Sequence, residues 1–171
     1  MNLKYIQQAL NAAKYHEDQA FKFAHPLNSD YDKVVAHLRA YFWELWSVWD
    51  YILQQANSET IKLDPESVKG KIIEQIKEKF PEYKYLGELE KFQDDDRLKK
   101  ISFVRNYAHK WQIMPNLVEI NGDTVNVITL IWLKNYNTIP NQINIDRNDL
   151  WFMDKMVNQL IQNNFFGDIK F

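Results

Sequence analysis

Two stretches in the first third of the chain repeat their inward residues at alternating steps of three and four. That spacing leaves little alternative to a pair of packed helices. From residues 2 to 24 the stripe reads Leu3, Ile6, Leu10, Ala13, Glu17, Ala20 and Ala24, with Glu17 its one polar member. Pro26 then ends the run. Ser29, with Asp32 three residues on, resembles a capping box that starts a second helix. The stripe of that helix runs Val35, Leu38, Phe42, Leu45, Trp49, Ile52 and Ala56. The short connection predicts an antiparallel pair.

Further elements follow from local signals. Asp64 as N-cap and Pro65 at the first helical position predict a third helix, whose face carries Val68, Ile72, Ile76 and Phe80 until Pro81. The stretch EYKYLGELEKFQDDD reads as a mixed turn region with room for a short helical piece. A fourth main helix is expected from about Asp95 to Gln112. Beyond Pro115 the pattern changes to apolar runs around Asn121-Gly122, a strong hairpin signal. A two-residue turn there puts Ile120 opposite Asp123 and Val118 opposite Val125. NYNTIPNQINI suits either a third strand or a loop. Asp146 is expected to cap a last helix with Leu150, Met153, Val157, Leu160 and Asn164 on one face. The expected fold is therefore mainly α: one domain over residues 1–171, an antiparallel bundle of about five helices with a β-hairpin at about 117–133 before the last.

Composition narrows the chemistry. A hydrophobic share of 46% supports a folded domain, and 21 basic against 23 acidic side chains leave no global field for nucleic acid. The absence of cysteine removes disulfides, thiolate metal sites and a Cys nucleophile, and fits a reducing cytoplasm. No signal-peptide pattern or long apolar run is present, so a cytoplasmic protein that does not span a membrane is expected. The four His show no metal-ligand spacing, although a bundle could gather His16, His37 and His109 at one level. Four isolated Gly offer no phosphate loop, and no Gly-x-Ser-x-Gly elbow appears.

The chemistry-bearing stretch is FVRNYAHKW, residues 103 to 111. At about 100° per residue, Ile101, Val104, Ala108 and Trp111 share an apolar arc. Ser102, Arg105, His109 and, further round, Asn106 border it as a polar strip. Arg97, Lys99, Lys100, Arg105 and Lys110 make the segment locally basic. A guanidinium suits phosphate oxygens bidentately, and a His titrating near neutrality can move a proton. One His per chain cannot easily perform both proton transfers of RNA transesterification, so a two-fold dimer supplying a second His109 would be natural. The structural alternative has Arg105 bonded to a carboxylate such as Glu44 or Glu17 and His109 capping helix carbonyls. For Glu17 the expected partner is Arg39 or Arg105. Trp43 and Trp46, flanking the second stripe, are read as core or dimer contacts, with base stacking as the other option.

The Arg-Asn pair followed by a His about a turn later resembles the signature of the HEPN (higher eukaryotes and prokaryotes nucleotide-binding) superfamily. Three residues separate Arg105 from His109, a shorter interval than the family's usual one. The resemblance implies a helical bundle acting as a metal-independent endoribonuclease of a toxin–antitoxin or phage-defence type, without cofactors. It further implies RNA as substrate, a homodimer that pairs two motifs, and an antitoxin or other partner protein. Carried over, Arg105 stabilises phosphate charge, His109 serves the 2′-hydroxyl or leaving oxygen, Asn106 orients them, and Ser102 supports. The alternative is a non-catalytic helical module that binds a partner protein or nucleic acid.

Overall fold

The computed structural model describes residues 3–25, 30–63, 71–107, 113–120, 124–132, 141–145 and 147–167, with residues 107, 113–120, 124–132, 141 and 142 in backbone alone. Six helices and three strands lie within them: α1 Leu3–Ala24, α2 Tyr31–Glu59, α3 Ile72–Lys79, α4 Leu86–Asp94, α5 Asp96–Tyr107, β1 Ile113–Ile120, β2 Thr124–Trp132, β3 Asn141–Ile145 and α6 Asn148–Gln162. The protein is mostly helical, and no described helix is long and apolar enough to cross a membrane.

Helices α1 and α2 follow their stripes. Ile6, Leu10, Ala13, Glu17, Ala20 and Ala24 are buried on α1, and Leu38, Phe42, Leu45, Trp49, Ile52 and Ala56 on α2. Tyr5 stacks on Tyr51, His16 meets His37, and the Lys33 ammonium lies over the Phe23 ring. Low numbers on one helix meet high numbers on the other, so the two run antiparallel. The start of α2 is capped by Asp30, whose carboxylate accepts from the Lys33 amide at 3.1 Å; Ser29 lies outside the described residues. Its end is closed by Asn57, buried, which donates to the Leu63 carbonyl (2.8 Å) and accepts from the Leu63 amide (3.2 Å). Both polar ends of that side chain are thereby matched, which makes its burial tolerable.

Four expectations change. The turn-like stretch after Pro81 contains a full helix, α4, whose Leu86, Leu89 and Phe92 are buried, so six helices stand where about five were expected. Phe80 is 41% exposed rather than on the inner face of α3, because it follows the last helical residue and its peptide leaves the α conformation. Asn164 is not on α6 but in the turn beyond it, at φ 58°, a left-handed position that Asn tolerates. The strand register also differs: Val118 pairs with Val127 and Ile120 with Thr124, with an irregularity between them. One strand thus carries extra residues relative to the other, as at a β-bulge. The stretch NYNTIPNQINI, residues 135–145, was open between strand and loop; its residues 141–145 form β3, antiparallel to β2. Asp64, Pro65, the Asn121-Gly122 turn and Asp146 lie outside the described residues.

Long-range polar contacts join the remaining helices. The Tyr85 hydroxyl meets the carbonyls of Asn163 and Asn164 at 3.1 and 2.6 Å, tying the start of α4 to the turn after α6. Glu88 accepts from Asn163 and Gln159, and Lys77 pairs with Glu90 at 2.8 Å across α3 and α4. Leu98, Ile101 and Val104 anchor α5 in the core, which sets the direction of its polar edge.

Candidate nucleic-acid interface

The last described turns of α5 hold three of the expected site residues together. Arg105 donates from Nη1 to Asn106 Oδ1 at 2.9 Å, and Asn106 Nδ2 donates to Ser102 Oγ at 3.4 Å. Asn106, placed further round the helix by angular reasoning, is thus the middle of this chain of bonds. His109 lies outside the described residues, so its relation to Arg105 is not part of this geometry.

The Arg105 guanidinium sits over the Trp43 ring at 4.6 Å and within 6.0 Å of Trp46. Both rings project from α2, and an arginine half-shielded against an indole face is held by cation–π attraction of about 1 kcal/mol. Trp43 is 56% exposed, so of the readings core, dimer contact or base stacking the first is excluded; it is a surface platform covered on one part by Arg105. Among the described residues Arg105 forms no ion pair, neither with Glu44 nor with Glu17, and its Nε is buried without a hydrogen-bond partner. A donor left unmatched in a low-dielectric site is costly unless something accepts from it.

Beside this cluster lies a groove of about 460 Å³, whose walls include Trp46, Asp50, Lys71, Lys99, Ser102 and Asn106. Burial raises the pKa of Asp50 above the usual carboxylate range, opposed by the Arg105 charge and a Trp46 hydrogen bond. The Asp50 residue as a whole is exposed, so its carboxyl is shielded on the groove side only. The local basic character of α5 is largely spent elsewhere. Lys100 pairs with buried Asp149, Lys99 with Asp94 at 3.5 Å, and Arg97 lies over the rings of Trp151 and Phe152. Charge counted along a helix therefore overstates the positive field on any one face.

A second polar cluster was only half visible in the sequence. Glu17, 3% exposed, faces Arg147 Nη1 at 3.6 Å; its partner is neither Arg39 nor Arg105. Arg147 also holds Asp18 at 2.9 Å and lies over the Phe21 ring. Burial pushes the Glu17 carboxyl up to about 7, helped by Asp18 and Asp149 and opposed by Arg147 and the Tyr41 hydroxyl. Arg147 precedes α6, and no local signal connects it to residue 17. Of the three His that a bundle could have gathered, His16 and His37 meet at 3.0 Å and His109 lies outside the described residues. Among the described residues no group of three or more His, Asp or Glu converges as a metal-ligand set.

No protein-family model matches the chain, and neither a curated protein nor a solved structure matches it.

Proposed function

We propose that this protein acts on RNA as an HEPN-like endonuclease that needs no metal, with the Arg105–Asn106–Ser102 strip meeting the RNA backbone. The observation that carries the reading is the state of Arg105. Its guanidinium is oriented by Asn106 and Trp43, forms no direct ion pair among the described residues although its charge acts on Asp50, and stands beside a groove. Such a cation is pre-oriented for phosphate, and Trp43 offers an exposed face on which a base can stack. His109 supplies the proton transfer, and a homodimer supplies the second His109 that a full transesterification requires. In this reading the helices form an antiparallel bundle, β1 and β2 are a hairpin inserted before α6, and the setting is toxin–antitoxin or phage defence, with an antitoxin among its partners.

One observation favours a second reading, a helical module that binds nucleic acid or a partner protein without cutting. Arg105 already spends one nitrogen on Asn106 and its face on Trp43. Purified protein incubated with structured and single-stranded RNA in excess EDTA separates the two. Cleavage by the wild type that is lost in both His109→Ala and Arg105→Ala supports the nuclease. RNA binding without cleavage selects the module, and neither binding nor cleavage removes RNA from the account.

A further inference from the structure

The seam between α1 and α2 carries a feature that the RNA reading does not use. His16 precedes Glu17 of the α1 stripe, and His37 precedes Leu38 of the α2 stripe. Both therefore leave the core at its edge, on the side where the antiparallel helices face each other. Their Nδ1 atoms meet at 3.0 Å across the seam, with ring centroids 5.3 Å apart. One of the two must present a lone pair to the N–H of the other.

We infer that His16 and His37 form a binding site for a late first-row divalent cation, Zn²⁺, Ni²⁺ or Cu²⁺, that pins α1 to α2. Two imidazole nitrogens on one tetrahedral Zn²⁺ lie about 3.3 Å apart at the usual Zn–N length. The observed 3.0 Å needs only a slight opening of the seam to admit the ion. Imidazole is a ligand that Zn²⁺, Ni²⁺ and Cu²⁺ favour and that Mg²⁺ and Ca²⁺ do not.

The surroundings fix the rings. Phe23 stacks on His37 at 5.7 Å with 9° between planes, and Tyr15 meets His16 and His37 edge-on at 5.3 and 6.2 Å. Rings already oriented lose little freedom when they ligate. Burial holds both imidazoles below their ordinary range, and His16 adds to the shift at His37. Two ammonium groups, Lys22 and Lys33, lie over the Phe23 ring that stacks on His37; Lys33 is paired with Asp30 at 2.9 Å, and the charge of Lys22 lowers the affinity for an incoming cation.

The proton balance closes without a co-reactant. In the free pair one ring carries its hydrogen on Nδ1; on binding, that hydrogen moves through water to Nε2 and both Nδ1 lone pairs turn to the ion. A neutral pair thus takes up the metal with no net release of protons. Two imidazoles leave the remaining coordination positions to water, which makes the site open and its affinity moderate.

The test is thermal unfolding and calorimetry of the EDTA-stripped full chain with ZnSO₄ or NiCl₂, beside MgCl₂, for the wild type, His16→Gln and His37→Gln. The expected result is one ion per chain and a rise in Tm of roughly 5–11 °C at a hundredfold excess over the dissociation constant. Mg²⁺ gives no rise, and either substitution abolishes the effect of Zn²⁺. No rise in the wild type, or an equal rise in both variants, overturns the proposal. If a variant does not fold, Cu²⁺ electron paramagnetic resonance of the wild type decides: two equivalent imidazole nitrogens support the site, one or none overturns it. RNA cleavage has no part in these readouts, so the site stands or falls independently of the nuclease reading.

Discussion

Replacing Glu17 by glutamine is expected to stabilise the protein at pH 8 and to change it little at pH 4.5. The carboxyl is 3% exposed and titrates at about 7 in the folded chain, against 4.5 for an ordinary Glu. Below 4.5 both states hold the proton and the group contributes no penalty. As pH rises toward about 7 the unfolded chain ionises freely while the folded chain resists, so stability falls, and the loss is complete above the folded value. The difference between the two pKa values corresponds to about 3 kcal/mol at pH 8, and to well under about 1 kcal/mol at pH 4.5. Glutamine keeps the shape and an oxygen for the Tyr41 hydroxyl but never ionises. The attraction of Arg147 is already contained in the folded value of about 7, so nothing further is subtracted for its loss. The net gain at pH 8 is about 3 kcal/mol, a Tm increase of roughly 6–12 °C for a chain of this size. Urea or thermal denaturation of wild type and Glu17→Gln at the two pH values measures it, and other titrating groups cancel in the difference. A variant no more stable than wild type at pH 8, or one equally stabilised at both pH values, would refute the reasoning.

Lys100→Met should cost about 3–5 kcal/mol, because it takes the ammonium away from Asp149, a carboxylate only 1% exposed. Asp149→Asn should cost less, since Lys100 is 23% exposed and can turn to water; urea midpoints in the opposite order would contradict this account. Tyr85→Phe removes the hydroxyl held by the carbonyls of Asn163 and Asn164 and should lower stability by about 1–2 kcal/mol, read as a shifted denaturation midpoint. Trp43→Ala, at a position more than half exposed, should leave the midpoint within about 1 kcal/mol while weakening RNA binding by about tenfold or more in fluorescence anisotropy. Unchanged affinity would remove Trp43 and its Arg105 cover from the interface.

The parts of this protein that its sequence determined by itself are those where one helix carries its own message. The stripes of α1 and α2 needed only the 3.6-residue period, and Glu17 announced itself as the polar member of a buried row. Ser102, Arg105 and Asn106 were likewise placed together by position on one helix, and the structure links them by hydrogen bonds. Where two readings of a local pattern had similar energies, the sequence did not choose. The stretch before α4 has turn residues and helix formers mixed, and the burial of Leu86, Leu89 and Phe92 against the rest of the chain settled it as helix. The strand register depended on an irregularity between Val118 and Ile120 that no alternation of side chains encodes. The partners of charged groups were decided by tertiary structure alone. Arg147 reaches Glu17 and Asp18, Lys100 reaches Asp149, and His16 meets His37, each across a separation along the chain that periodicity does not span. A buried charge needs an opposite charge, but any arginine in the sequence satisfies that need on paper. Only the packing of α6 and its leading residues against α1 makes Arg147 the one that does.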